Sequence, residues 1–443
     1  MHPLCFVLMP FGRKPAAGGA MVDFDAIYET LIRPAIVDAD MEPLRADEEM
    51  AGGLIHKPMF ERLILCEYAV ADLTTANANV FYELGLRHAV RQAATVLVFA
   101  ENSGQLPFDV APLRGLPYRL GADGKPARPD EDRRAMADRL RDARQESTDS
   151  PIFQLVEDFP EVQRLKTDVF RDRVRYSARV KADLARARQS GAAAVRDVEA
   201  RLGALSDQEA GVVVDLFLSY RAVRAWDEMI ALVDRMAPPL AATVMVQEQL
   251  GLALNRTGRG EEAEQVLTSL IECRGPSSET CGILGRVYKD RWSRAVDEGD
   301  PFLARGLLKK AIRAYLDGFE TDWRDAYPGI NAVTLMEIQD PPDPRGRQLI
   351  PIVDYAVKRR MDRGEPDYWD HATVLELAVL NRDRDAAEAA AADALAAIRE
   401  SWEAETTAEN LRIIADARAR RGEVLAWADR IGSLLLKRAA ARG

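Results

Sequence analysis

The sequence predicts an α/β domain built on a parallel sheet with flanking helices, followed by an all-α tetratricopeptide-like solenoid. Three observations predict it: short unbroken apolar runs alternate with helix-period segments before Leu120, no convincing strand follows Glu161, and matching residues recur at a spacing of 34 in the second half.

Leu4 to Met9 is the first buried strand, and Tyr68 to Leu73 and Thr95 to Ala100 are its partners. Continuous Val, Leu and Phe without polar alternation suits strands covered on both faces. Between them, Phe24, Ile27, Leu31, Ile32, Ala35 and Ile36 recur at helical spacing, as do Met59, Leu63 and Cys66, then Val80, Leu84 and His88. The α/β domain is therefore expected over residues 1–122. Closely mixed charges behind Pro126 and Pro129 predict a charged linker over 123–160 that enters an exposed helix. Residues 161–443 are expected to be helical.

Within that region Phe217, Gly251 and Gly285 are 34 residues apart, as are Tyr220, Leu254 and Tyr288. In the middle copy Leu250, Gly251 and Leu254 fall on a first helix, Ala263, Leu267 and Leu270 on a second, and Gly275-Pro276 ends the unit. The third copy resumes at Ala311, Tyr315 and Gly318 only after an insertion from about Lys289 to Leu303, and a fourth pair is expected between Trp369 and Trp402. Each pair leaves an apolar face that its neighbour must bury, and the stacked surface suits a protein partner. From Arg164 to Arg188 nine Lys or Arg face three Asp. Val162, Leu165, Val169, Tyr176, Val180 and Leu184 keep an apolar stripe there, so a packed helix with solvated charges is favoured over a grip on an acidic partner or nucleic acid.

Composition narrows the function. With 47% hydrophobic and 30% charged residues the chain can fill cores, and its net charge of −11 argues against binding nucleic acid or anionic lipid indiscriminately. Cys5, Cys66, Cys273 and Cys281 form no C-x-x-C pair, which together with an N-terminus lacking a cationic flank and the lack of a membrane-length apolar run makes a reduced, cytoplasmic setting the expectation. His2, His56, His88 and His371 show no paired ligand spacing, so no metal is expected, and His56 and His88 are read as packing residues. A G-x-x-x-x-G-K-[ST] loop and the protein-kinase motif set are both missing, which disfavours ATP-driven phosphoryl transfer.

The segment from Val70 to Ala89 carries the candidate site. A buried strand ends in Asp72, a polar loop with Asn77 and Asn79 follows, and a helix begins that places Glu83 in its first or second turn. In open α/β sheets ligands bind beyond the carboxyl ends of strands, so Asp72 and Glu83 should face one crevice. Two carboxylates there could cleave an N-glycosidic bond, Glu83 stabilising or attacking the sugar carbon and Asp72 holding ribose hydroxyls. The alternative stands beside it: Asp72 and Asn79 cap the helix, and Glu83 pairs with Arg87 on an exposed face.

This segment resembles the nucleoside 2-deoxyribosyltransferase-like and divergent TIR-like domains. The resemblance takes in Phe6-Val7-Leu8-Met9-Pro10-Phe11-Gly12, whose turn would contact a base or phosphate, and Arg45-Ala46-Asp47-Glu48. It implies a ligand set of Phe11, Gly12, Asp47, Asn77 and Asn79 around catalytic Glu83 and Asp72, with NAD or a nucleoside as substrate or ligand rather than as a cofactor. In the transferases the loop before the catalytic Glu contains Gly; here it reads Asn77-Ala78-Asn79-Val80-Phe81-Tyr82. The helical half resembles the TRAFs-binding domain of the apoptosis signal-regulating MAP kinase kinase kinases, through Tyr327-Pro328-Gly329-Ile330-Asn331-Ala332, Glu405-Thr406-Thr407 and Asn410-Leu411. That resemblance implies a regulatory scaffold. The expectation is thus a signalling or defence protein whose nucleotide-type domain is controlled by a helical scaffold, or a non-enzymatic scaffold whose first domain is a pseudoenzyme or ligand sensor. A homo-oligomer remains open.

Overall fold

The apolar runs before Leu120 form the central strands of one parallel sheet, and their alternation of side chains builds a core on each face. The structure, a computed structural model, describes residues 2–16, 21–45, 56–101, 115–144, 148–156, 167–362, 364 and 366–440. Two compact units divide it, Met1–Val223 and Arg224–Gly443.

In the first unit the strands are β1 (Leu4–Leu8), β2 (Arg13–Pro15), β3 (Met21–Asp23), β4 (Glu42–Arg45), β5 (Tyr68–Asp72), β6 (Thr95–Ala100) and β7 (Leu116–Tyr118). The main sheet has the order β4-β1-β5-β6-β7 with every pair parallel, while β2 and β3 form a separate antiparallel ribbon. Cys5 and Val7 of β1 pack toward α1 (Phe24–Ile27), a π-helical turn (Tyr28–Ile32) and α2 (Arg33–Asp38). Leu4, Phe6 and Leu8 face the other way, toward α3 (His56–Leu65) and α4 (Ala78–Val90).

The stretch expected as a linker contributes α5 (Pro129–Asp142), whose Met136, Ala137 and Leu140 are buried in the same core as Ile27 and Ile36. The exposed helix expected at the end of that linker is thus an amphipathic one with a buried face, whose three apolar positions are masked by the surrounding charges. Strand β7, only three residues long and carrying Pro117, lacks a readable apolar run and takes the edge position a proline tolerates. The unit closes with α6 (Pro151–Leu155), α7 (Thr167–Ser190), α8 (Ala192–Glu199) and α9 (Ala210–Ala222), so the compact division falls after Val223 rather than at 160. On α7, Val174, Val180 and Leu184 are buried while Tyr176 is exposed; Arg175 pairs with Glu42 at 2.8 Å and Arg188 with Asp215. Val180 and Leu184 thus follow the packed-stripe reading and Tyr176 does not; Val162 and Leu165 and the side chain of Val169 lie outside the described residues.

The second unit is helical throughout its described residues: α10 (Trp226–Val233), α11 (Pro238–Ala241), α12 (Val244–Arg256), α13 (Gly260–Arg274), α14 (Ser278–Asp297), α15 (Pro301–Thr321), α16 (Ala326–Glu337), α17 (Arg345–Met361), α18 (Tyr368–Asn381), α19 (Arg384–Ala397), α20 (Ser401–Arg420) and α21 (Ala426–Ala440). From α11 to α19 neighbours in sequence pack on one another, as do α20 and α21, and α12, α14, α16, α18 and α20 also pack each on the next. That pattern is the contact signature of stacked helix pairs. The glycines of the 34-residue period mark the closest approaches. A Cβ at Gly251 would lie 2.8 Å from Leu267, and one at Gly285 would lie 2.7 Å from the Tyr315 ring. The expected insertion in the third copy is helix: α14 and α15 run 20 and 21 residues where α12 and α13 run 13 and 15. The fourth pair is α18 and α19, as expected. Among the described residues no helix is long and apolar enough to cross a membrane.

Candidate functional site

In the order β4-β1-β5-β6-β7 the chain first builds outward from β1 to β4 and then crosses to β5 on the opposite side. Such a reversal opens a crevice at the carboxyl ends of the two central strands. Phe11 and Gly12 follow β1, Arg45 ends β4, and Asp72 ends β5, so the topology brings these sequence candidates to one sheet edge. Asp47 lies outside the described residues.

The turn after β1 is locked from within the domain. Gly12 has φ +63°, a left-handed conformation that a side chain would strain, and its N–H donates to Asp25 Oδ1 at 3.2 Å. Buried Arg45 sits over the Phe11 ring at 5.0 Å and the Tyr28 ring at 4.7 Å, and donates to Asp25 Oδ1 at 2.6 Å. The Arg45 guanidinium holds the Asp25 carboxyl below its ordinary value. In the sequence Asp25 reads as one more acid in a helical first turn; only the pairing of strand ends reveals its partner.

Asp72 is 1% exposed and both its oxygens are engaged. Oδ1 accepts from the Thr74 N–H at 2.9 Å and from the Thr74 hydroxyl, and Oδ2 accepts from the Tyr118 hydroxyl at 2.8 Å. Burial pushes its carboxyl up, against the pull of these donors. Its contacts tie the β5–α4 loop to edge strand β7. Asn77, rather than Asp72 or Asn79, caps α4, its Oδ1 accepting from the N–H groups of Asn79 at 2.9 Å and Val80 at 3.3 Å. The Asn79 residue itself is exposed.

Glu83 lies in the second turn of α4 and does not pair with Arg87. Arg87 is fully buried and donates to the carbonyls of Leu63 at 2.8 Å, Cys66 at 2.7 Å and Glu67 at 3.0 Å. The i, i+4 reading fails because these carbonyls at the end of α3 have first claim on the guanidinium. Among the described residues Glu83 has no hydrogen-bond or ion-pair partner, and burial alone pushes its carboxyl up to about 7. His88 is buried beside Arg87 and pushed down to about 4, which keeps it neutral and fits a packing residue.

In the helical unit, Tyr327 to Ala332 form the first half of α16, and a Cβ at Gly329 would lie 2.8 Å from both Phe319 and Val353. Thr407 accepts from the Tyr368 hydroxyl at 2.8 Å. A pair of aromatic rings stands at the surface: Trp323 and Tyr355, 51% and 58% exposed, stack with centroids 6.5 Å apart.

A family model described as the MAP3K TRAFs-binding domain matches residues 80–430. The chain is 32% identical over 133 residues to mitogen-activated protein kinase kinase kinase 15 of Mus musculus, covering 28% of this chain and 10% of that protein. It is 26% identical over 219 residues to mitogen-activated protein kinase kinase kinase nsy-1 of Caenorhabditis elegans, covering 45% of this chain and 14% of that protein. The chain thus spans only a small part of the length of the curated relatives it matches. Among solved structures it is similar to a thermophilic TPR protein of Thermus thermophilus, at 15% identity and a TM-score of 0.36 over 46% of this chain and 99% of that one. Pseudomonas aeruginosa pilF is similar at 15% identity and a TM-score of 0.30, over 50% of this chain and 89% of that one.

Proposed function

The chain belongs to the MAP3K TRAFs-binding domain family, and from that premise we propose that it is a signalling scaffold whose helical unit docks a protein partner. The observation that carries this reading is the stacked Trp323–Tyr355 pair, left in water beside Ile352, which is 44% exposed. Aromatic side chains bury large areas at little entropic cost and dominate interface energetics. The family is named for binding TRAFs, and a TRAF-type protein is the partner proposed for this chain. The test uses the full chain as bait in extract of its own cells, beside Trp323→Ala/Tyr355→Ala. Wild type should retain a stoichiometric partner that the double variant loses by tenfold or more. Equal retention would move the docking surface elsewhere, and no retained protein would remove the scaffold reading.

A second reading is favoured by Glu83, an unpaired, half-buried carboxyl poised near 7 just beyond the carboxyl end of β5. In it the α/β unit binds NAD or a nucleoside. The ionised Glu83 takes the sugar C1′ as the bond to the base nitrogen breaks, the electron pair leaving with the base, and water then releases the sugar. Since Asp72 is occupied by Thr74 and Tyr118, the sugar hydroxyls fall to Asn79, with Phe11 and Gly12 on the base or phosphate and Asn77 keeping the helix start in place. Incubation of the full chain with NAD and with nucleosides should give base release that Glu83→Gln abolishes. Indistinguishable wild type and variant, in binding as in turnover, would leave the α/β unit a pseudoenzyme.

A further inference from the structure

The insertion in the third repeat builds a projecting tip. Gly251 follows the start of α12 at Val244 by the same interval as Gly285 follows the start of α14 at Ser278, so the extra length of α14 lies wholly at its C-terminal end. Leu267, the neighbour of Gly251, stands half as far from the start of α13 at Gly260 as Tyr315, the neighbour of Gly285, stands from the start of α15 at Pro301. The extra length of α15 therefore lies at its N-terminal end. Both additions meet in one hairpin tip, which projects about 10 Å past the turn between α12 and α13 at a rise of about 1.5 Å per residue. Ala295 and Ala304 are buried beneath it, so the two helices stay packed to their ends.

The tip is apolar and acidic. Phe302 is 86% exposed, and Val296 and Leu303 are 51% and 46% exposed. Asp300 is accounted for by the fold, since it caps α15, its carboxylate accepting from the Leu303 N–H at 3.0 Å. Asp297 and Glu298 are not. Asp297 is the last residue of α14 and Glu298 its C-cap, both exposed and without an ion pair among the described residues. Carboxylates are disfavoured there, because the C-terminal end of a helix already carries partial negative charge. The nearest cations stand back from the tip: Arg294 turns toward Gly258, and Arg305 lies one turn further along α15. Apolar side chains in water and acids at the wrong end of a helix both work against the isolated fold, so this tip is shaped for contact with something else.

We propose that the tip is a docking site in its own right, for a protein that offers an apolar pocket rimmed by Lys or Arg. Phe302 enters the pocket, Val296 and Leu303 pack on its lip, and Asp297 and Glu298 meet the basic rim. The sign of the charge selects this occupant. Anionic lipids, which draw proteins to a membrane, would repel both acids, and a second copy of a chain with a net charge of −11 is a poor source of a basic rim. Insertions in helical repeats often lie on a binding face. The tip and Trp323 flank α15 at opposite ends, about 30 Å apart, so this site is separate from the stacked aromatic pair.

The test places the photo-crosslinker p-benzoylphenylalanine at position 302 of the full chain in its own cells, with a control at Val424, another exposed apolar residue. One protein should crosslink through position 302 and not through 424. Mass spectrometry of the joined peptides should show a contact stretch in which apolar residues are flanked by Lys or Arg. Asp297→Lys/Glu298→Lys should lower the yield tenfold or more. That variant puts cations at the C-terminal end of α14, where they favour the helix, and a thermal midpoint no lower than that of the wild type checks its fold. No crosslink, crosslinks confined to lipid or to a second copy, an acidic contact stretch, or a yield indifferent to the charge reversal each overturns the proposal. The crosslink should persist in Trp323→Ala/Tyr355→Ala, which removes the other surface. Its loss there would make the tip an appendage of that surface and overturn it as a separate site.

Discussion

In the α/β unit the buried Arg87 donates to three backbone carbonyls at and beyond the end of α3, and in the helical unit the equally buried Arg418 donates to the carbonyls of Val379 and Leu380 at the end of α18, both at 2.8 Å. Each therefore supplies donors that the last turn of a helix lacks when water is excluded. The two differ in their counter-charge. Arg418 also pairs with Glu337 at 2.8 Å, which Arg421 shares at 2.7 Å, whereas Arg87 has no ion pair among the described residues and is pushed down to about 10 by burial and by Arg91. A helix end thus needs donors, and compensation of their charge can be delegated to the carbonyl dipoles alone.

The largest expected effect comes from removing those donors. Arg87→Leu leaves three carbonyls dry and should cost about 3–5 kcal/mol, as should Arg418→Leu, in which Glu337 keeps Arg421. The tryptophans make the two distinguishable, because Trp226, Trp292, Trp323, Trp369, Trp402 and Trp427 all lie in the helical unit. Arg418→Leu should lower the urea midpoint read by tryptophan fluorescence. Arg87→Leu should leave that midpoint nearly unchanged and strip hydrogen-exchange protection from β1, β5 and β6. Equal movement of the fluorescence midpoint in both variants would mean that the units unfold as one, and the comparison would lose its footing.

The glycines of the repeat sharpen the picture inside the helical unit. At Gly285 an added methyl meets the flat of a fully buried Tyr315 ring, which has nowhere to turn, so Gly285→Ala should destabilise by about 2 kcal/mol. At Gly251 it meets Cγ and Cδ2 of Leu267 at 2.8 Å, an equally buried side chain but a smaller, more flexible one than a tyrosine ring, and the better helix propensity of Ala offsets part of the clash, leaving about 1 kcal/mol. Thermal midpoints of the two variants read the difference. Equal losses would mean that the repeat spacing records backbone approach alone, whatever the neighbour.

How far the sequence carries can be judged from these same residues. Gly251, Gly285, Leu267 and Tyr315 were readable because period and residue size together specify close helix crossings. The three long strands were readable because both faces are buried, so no polar residue interrupts them. What stayed hidden depends on long-range pairing. Asp72 looks like a site acid until Tyr118, from a three-residue strand with no pattern of its own, is seen to hold it. Arg87 looks like the partner of Glu83 until α3 brings its carbonyls alongside. Helix α5 reads as an exposed helix because only Met136, Ala137 and Leu140 carry its buried face.

Glu83 gives an effect well below that of the buried arginines, and the one that best separates a poised carboxyl from a spent one. Its folded value of about 7 stands above the ordinary 4.5, so between those limits the folded protein holds a proton that the unfolded chain has released. Stability should consequently fall as pH rises from about 4.5 to 7 and stay reduced above, the reverse of a salt-bridged carboxylate. A shift of this size corresponds to about 3 kcal/mol at most, and the side chain's remaining contact with water reduces the expectation to about 1–2 kcal/mol. Glu83→Gln removes the ionisation, so it should stabilise the α/β unit at pH 8 by that amount and leave it nearly unchanged at pH 5, read by hydrogen exchange of β5 and α4. Asp72 cannot give the same signature on substitution, because Asp72→Asn puts an N–H2 group where Thr74 or Tyr118 must donate. A Glu83→Gln variant with no gain at pH 8 would place its carboxyl in ordinary solvent, and with it would go the electrostatic basis for chemistry at this sheet edge.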